Sequence, residues 1–192
     1  MKPCFGTAVA SVLSLLCLRC SSSPYPRETP LMTAARQGRI ADIQTLISQG
    51  ADPNARAGVN GWTPILHAIH KHQKESLVAL LDGGADNSVS ALMMAAGYGY
   101  TDMVKTLLDR GADPSQKSCG GSTALDVAVS GVPDIDRFTV GDCQTATVKV
   151  LLERAPNLRL SDSFHGRVAG WLACAEVRAL LDRTSAPRAA RS

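Results

Sequence analysis

The apolar positions of this chain recur as one phrase: an aliphatic residue, two variable positions, then two aliphatic residues. It occurs as IQTLI at 43–47, LVALL at 77–81, VKTLL at 104–108, VKVLL at 148–152 and VRALL at 177–181. Spacing of i, i+3 and i+4 puts such side chains on one stripe of a helix, as Val104, Leu107 and Leu108 illustrate. A second phrase precedes the first four: TPLMTAA at 29–35, TPILHAI at 63–69, SALMMAA at 90–96 and TALDVAV at 123–129. Each predicts a helix start. Thr29, Thr63, Ser90 and Thr123 are the expected N-caps, and Pro30 and Pro64 fall at the first helical position, where a missing N–H costs nothing. Small residues then follow at fixed offsets (Ala34, Ala35, Ala68, Ala95, Ala96, Ala128), so that a neighbouring helix can approach closely. A turn of about four or five residues is expected between the two helices of each pair.

Three of the second helices run into QGAD (49–52), GGAD (83–86) and RGAD (110–113). Gly50, Gly84 and Gly111 thus stand where a helix stops on a left-handed residue, a conformation glycine adopts without steric cost. A helix pair of this size cannot seal its own apolar stripe and must stack on the next pair.

These phrases, in this order, resemble the ankyrin repeat, with GADPN at 50–54 and GADPS at 111–115 fitting its pattern well. The resemblance is strong over 29–155 and weaker over 156–183. It implies a mostly α-helical protein, an ankyrin-like solenoid of stacked antiparallel helix pairs with short β-hairpin loops. The domain is expected to span 24–183, followed by a disordered tail at 184–192.

Departures from the repeat carry information of their own. Successive second-helix phrases are spaced by 34, 27, 44 and 29 residues, against a family period of about 33. The short spacing predicts that the hairpin between the second and third units is missing. The long one predicts an insertion of extra residues, from roughly 134 to 144, within the fourth pair; it would form either a binding loop or a tolerated solvated one. The fifth unit lacks the TPLH phrase. Its helices are expected at 163–171 and 175–183 as a terminal cap, with Trp171, Leu172, Val177, Leu180 and Leu181 facing inward.

Because Ala and Leu fill the packing faces, variable positions at hairpin tips and first-helix ends are free to line a concave groove. Carried over unit by unit, the resemblance points to Arg36 and Gln37; to Arg56, Asn60, Trp62, His70 and Lys71; to Tyr98; and to Lys117 and Ser122. Trp62 and Tyr98 are the expected aromatic anchors, on the view that they are exposed, with packing across its own hairpin as the competing role for Trp62. The function implied is non-enzymatic capture of a protein partner by a monomer. The alternative is an exported effector or enzyme regulator acting through the 134–144 insertion.

Composition supports the helical reading: 45% of residues are apolar but only 4% aromatic, so Ala and Leu do the packing. Residues 1–23 differ in kind from the rest. Lys2, an uncharged stretch from Cys4 to Leu18, Arg19 and the small residues Cys20 and Ser22 resemble an export signal, shorter than a bilayer span needs. Export to a periplasmic or extracellular space, with no stable membrane span after cleavage, is therefore expected; an uncleaved anchor or a cytoplasmic protein is the alternative. Without that leader the chain holds 18 basic and 17 acidic residues, interspersed, which argues against nucleic acid as a partner.

Candidate chemistry is sparse. His67, His70 and His72 cluster at the end of one helix, but no further ligand has zinc-site spacing, so no metal and no cofactor is expected. Asp134, Asp136 and Asp142 lack the alternation and closing Glu of an EF-hand. No nucleophile elbow, HExxH or phosphate loop is present. Cys119, Cys143 and Cys174 are expected as free thiols, with Cys119–Cys143 the pair to test if the protein is exported.

Overall fold

The computed structural model describes residues 26–131, 144–161 and 175–185. Nine helices lie in them: α1 (Pro30–Gln37), α2 (Ile40–Ser48), α3 (Pro64–His70), α4 (Lys74–Asp82), α5 (Val89–Gly97), α6 (Thr101–Asp109), α7 (Ala124–Ser130), α8 (Thr145–Arg154) and α9 (Ala175–Ser185). They stack in two layers. The first helices of the units form one layer, α1 on α3, α3 on α5 and α5 on α7, and the second helices form the other, α2 on α4, α4 on α6, α6 on α8 and α8 on α9.

The core lies between the layers and runs the length of the stack. Leu31, Ile65, Leu92 and Leu125 occupy matching places in successive first helices, and Ile43, Leu77, Val104 and Val148 do so in the second; all are buried. Ala34 and Ala35, Ala68, Ala95 and Ala96, and Ala128 are buried too, which is what lets adjacent first helices pack closely. Among the described residues of the fifth unit, Val177 is buried and Leu180 and Leu181 pack partly against the core, as the sequence predicts. The first helix expected for that unit, with Trp171 and Leu172, lies outside the described residues, as does most of the 134–144 insertion.

Gly50, Gly84 and Gly111 all sit at φ 89°, as their place in the sequence requires. Each closes its helix with the same pair of bonds: Gly50 N–H to the Ile47 carbonyl and Ala51 N–H to Leu46, repeated by Gly84 and Ala85 on Leu81 and Leu80, and by Gly111 and Ala112 on Leu108 and Leu107. This satisfies carbonyls that a helix end would otherwise leave unpaired.

Four details differ from the sequence reading. The hairpin missing between the second and third units leaves α5 room to start early, so Ser88, not Ser90, is its N-cap and accepts the Ala91 N–H. Thr63 caps α3 by position alone, without a side-chain bond. The links inside the first three pairs are shorter than expected, since α2 begins at Ile40 directly after Gly38 and Arg39. Hairpin character among the described residues reduces to one isolated bridge, Ala57 with Trp62.

Neighbouring units are also tied by side chains. Asn54 donates to the Gly84 carbonyl (3.1 Å) and accepts the Asp86 N–H (2.7 Å), and Asn87, one unit on, donates to the Leu107 carbonyl inside α6 (2.7 Å). Ser115 holds the corresponding place in GADPS and turns back instead onto Asp113, donating both N–H and O–H. The third and fourth units are joined elsewhere, by Gln144 donating to the Gly97 carbonyl (2.8 Å) and by the Thr101 and Thr147 hydroxyls (2.8 Å).

Candidate functional site

The loop from Ala57 to Trp62 is set by its backbone. The Ala57 N–H donates to the Trp62 carbonyl (3.2 Å), the Gly61 N–H to Gly58 (3.2 Å), and the Gly58 N–H to Pro26 in the segment before α1 (2.8 Å). Gly58 and Gly61 take φ 73° and 59°, values that a β-branched side chain resists. The tip that results presents Val59, 83% exposed and the one large hydrophobic residue so exposed among those described. Arg56 buttresses the loop by donating Nε to the Gly61 carbonyl (3.0 Å), and Asn60 is exposed beside Val59.

At the base of this finger the Trp62 indole, half-buried, meets two imidazoles of α3 edge-on: His67 at 5.5 Å and His70 at 5.1 Å between centroids. His70 Nδ1 lies 2.9 Å from the Tyr98 hydroxyl. Tyr98 leans on Tyr100 (5.4 Å), and Tyr100 stacks on His72 (3.9 Å, planes 11° apart). Six rings therefore run without a break from His67 to His72 across the second and third units. Aromatic and imidazole rings in edge and offset contact stiffen one another beyond the area they bury.

Charge flanks the row at both ends. Arg36, partly buried, pairs with Glu28 at 3.4 Å, and both charges act on His67. Burial pushes the His67 imidazole below its ordinary 6.5, opposed by Glu28 and reinforced by Arg36 and His70. Its Nε2 is buried without a hydrogen-bond partner among the described residues. At the other end His72 Nε2 meets Asp102 at 3.3 Å, with Lys74 on the second carboxylate oxygen at 3.9 Å. Burial would raise the Asp102 pKa, but hydrogen bonds from His72 and the Met103 N–H, with the charges of His72 and Lys74, outweigh it, so the carboxyl lies below the usual carboxylate range. His67 and His70 share the Trp62 ring while His72 turns to Tyr100 and Asp102, so the three imidazoles do not converge on one point.

Of the residues expected from sequence, Arg36, Arg56, Asn60, Trp62 and His70 fall along this finger and ring row, and Gln37 and Lys71 are exposed at the ends of α1 and α3. Tyr98 needs correction: it is 3% exposed and not a surface anchor. Its hydroxyl reaches across to His70, so the whole ring can be enclosed without leaving a polar atom unpaired. Lys117 and Ser122 stand apart, in the loop before α7; Lys117 is exposed, and the Ser122 carbonyl accepts the Ser118 N–H (2.8 Å). Sequence reasoning missed Val59, Tyr100 and the pairing of His72 with Asp102. A β-branched residue between Gly58 and Asn60-Gly61, where turns favour polar residues, was the available signal for Val59.

Cys119 is disulfide-bonded, so the expected free thiol is corrected at this position. Cys143, named from the sequence as its possible partner, lies outside the described residues. Among the described residues no group of three His, Cys, Asp or Glu side chains is placed to hold a metal ion. None of the described helices is long and apolar enough to cross a membrane.

Comparison with known proteins matches two family models, ankyrin repeats (3 copies) over residues 8–90 and ankyrin repeats (many copies) over 77–128. The first match begins inside the segment read from its composition as a leader. Among curated proteins, the chain is similar to the mitochondrial disaggregase of Bos taurus (32% identity over 107 residues, 55% of this chain and 15% of that protein). It is also similar to the ankyrin repeat and SAM domain-containing protein 6 of Rattus norvegicus (38% over 81 residues, 42% and 9%). A third relative is the B-cell lymphoma 3 protein homolog of Mus musculus (33% over 112 residues, 55% and 25%). The matched region thus spans a quarter or less of the length of these relatives.

Proposed function

Because the chain belongs to the ankyrin repeat family, whose repeats generally mediate protein–protein interaction, we propose that it captures a protein partner and performs no catalysis of its own. The contact surface would be the 57–62 finger with the exposed first-helix ends beside it. The observation that carries this reading is Val59: a large apolar side chain, 83% exposed, on a loop whose backbone is already fixed by three hydrogen bonds. A preorganised loop loses little conformational freedom on binding, so more of the contact energy appears as affinity. Trp62, His70 and Tyr98 brace the finger from below, Arg56 and Asn60 flank it, and Gln37 and Lys71 lie on neighbouring helix ends.

The test is a photo-crosslinking residue placed at Val59 in the native cell, with the same residue at Lys105, exposed on α6, as control. A discrete protein adduct formed from position 59, absent from position 105 and lost on Trp62→Ala, is the expected result. Equal labelling from both positions would end the proposal.

Export and a monomeric state belong to the same proposal. The support for export is the composition of residues 1–23, together with the disulfide at Cys119, since such bonds persist mainly in oxidising compartments. N-terminal sequencing of protein from its native cell and sedimentation of the purified chain check the two points.

A further inference from the structure

A second surface lies at the far end of the stack. A cleft of about 550 Å³ opens between the loop that precedes α7 and the segment that follows α8. Its polar lining includes Ser115, Lys117, Arg154, Asn157, Arg159 and Ser161, with no carboxylate among the lining residues. Arg154 is already neutralised by an ion pair with Asp109. Lys117 makes no ion pair among the described residues, and Asp113, the nearest acid along its loop, is engaged by Ser115, whose side-chain and backbone bonds hold its pKa below the usual carboxylate range.

Arg159 is the more telling cation. Its Nη1 donates to the Pro156 and Leu158 carbonyls (3.1 and 2.9 Å), which fixes the guanidinium plane and spends both hydrogens of that nitrogen. The Nε and Nη2 donors are left, and that edge of the fork is the one matched to two carboxylate oxygens. The walls are held as well. Asp126, fully buried, accepts the Thr123 N–H (2.7 Å) and hydroxyl (3.1 Å) on one oxygen and the Ser161 N–H (2.8 Å) on the other, which ties the α7 side of the cleft to the α8 side.

We propose that this cleft, through Lys117 and Arg159, binds the carboxylates of an acidic peptide segment; it rests on the reading of a protein partner given above and names the chemistry of part of that partner. Two uncompensated cations in an open cleft suit one or two carboxylates, whereas a nucleic-acid backbone calls for a longer basic stripe than a chain of 18 basic and 17 acidic residues provides outside the leader.

The test is calorimetric or NMR titration of the full chain with a blocked tetraglutamate peptide and, separately, tetraglutamine. Tetraglutamate should bind saturably, more weakly as salt rises, with its signals shifting Lys117, Arg159 and Ser161; tetraglutamine should not. Combining Lys117→Gln with Arg159→Gln should weaken tetraglutamate about tenfold, while Lys105→Gln and Trp62→Ala leave it unchanged. Because the tryptophan variant disables the other surface, failure of that surface and failure of the cleft are told apart. Equal binding of the two peptides, or undiminished binding by the double variant, overturns the proposal. Displacement of tetraglutamate by inorganic phosphate at far lower concentration than by acetate would reassign the cleft to phosphoryl groups and overturn the carboxylate assignment.

Discussion

The His72 imidazole stacks on the Tyr100 ring with centroids 3.9 Å apart, and His72 is the only non-glycine residue among those described with a positive φ, 53°. The corresponding turns of the first and third units use Gly38 and Gly99, and all three close their helix through the same bonds, Arg39 N–H to Ala34, Gln73 N–H to Ala68 and Tyr100 N–H to Ala95. The left-handed backbone costs a side-chain-bearing residue roughly 1 kcal/mol. A ring stack returns about 0.5–1.5 kcal/mol, so at His72 the two effects nearly cancel.

Two substitutions separate them. His72→Ala keeps the strained backbone and loses the stack, and should lower stability in urea unfolding by about 1 kcal/mol. His72→Gly loses the stack but also the strain, and should stay within about 0.5 kcal/mol of the parent. If the two variants unfold at the same urea concentration, the left-handed turn carries no strain for the ring to offset.

The helical framework was readable because its signals are local. A stripe such as Val104, Leu107 and Leu108 and a stop such as Gly111 depend on residues within one turn of each other, and the structure places them as the sequence predicts. What stayed hidden depends on distances between units. The burial of Tyr98 follows from a hydroxyl meeting His70, 28 residues away. The early start of α5, capped by Ser88, follows from a deletion that the phrase SALMMAA, still aligned on Ser90, does not register. His72 was legible in principle, since it stands in the column of Gly38 and Gly99. The cleft was not, because Lys117 and Arg159 come from different units and nothing in either segment refers to the other.

His67 makes the stability of the stack depend on pH. Burial holds its folded-state pKa below the 6.5 it has when exposed, so between the two values the unfolded chain binds the extra proton. The contribution of His67 is therefore fully present above about pH 6.5 and is lost as pH falls through the folded-state value. Asp102, also lowered but from 3.8, acts in a separate and more acidic window. Urea unfolding free energy measured from pH 8 to pH 5 should decline below about 6.5, and His67→Gln should flatten that decline. An unchanged slope in the variant would place the titration elsewhere.

Asp126 gives the largest expected loss from a single side chain. Its carboxylate is fully buried and accepts three hydrogen bonds, two from Thr123 and one from Ser161. Bonds to a charged group contribute about 1.5–3 kcal/mol each, and removing the acceptor leaves buried donors unpaired. Asp126→Ala should therefore cost at least about 3 kcal/mol in urea unfolding, with the Ser161 amide losing hydrogen-exchange protection. Asp126→Asn keeps one acceptor oxygen but must turn an NH₂ toward a donor at the other position, so it should recover only part of the loss. The same substitutions separate the ends of the molecule: the tie they cut joins the α7 and α8 sides of the cleft, so tetraglutamate binding should weaken in step with Ser161 protection. The finger at 57–62 lies two units away and shares no partner with Asp126, so crosslinking from Val59 should persist wherever the chain remains folded.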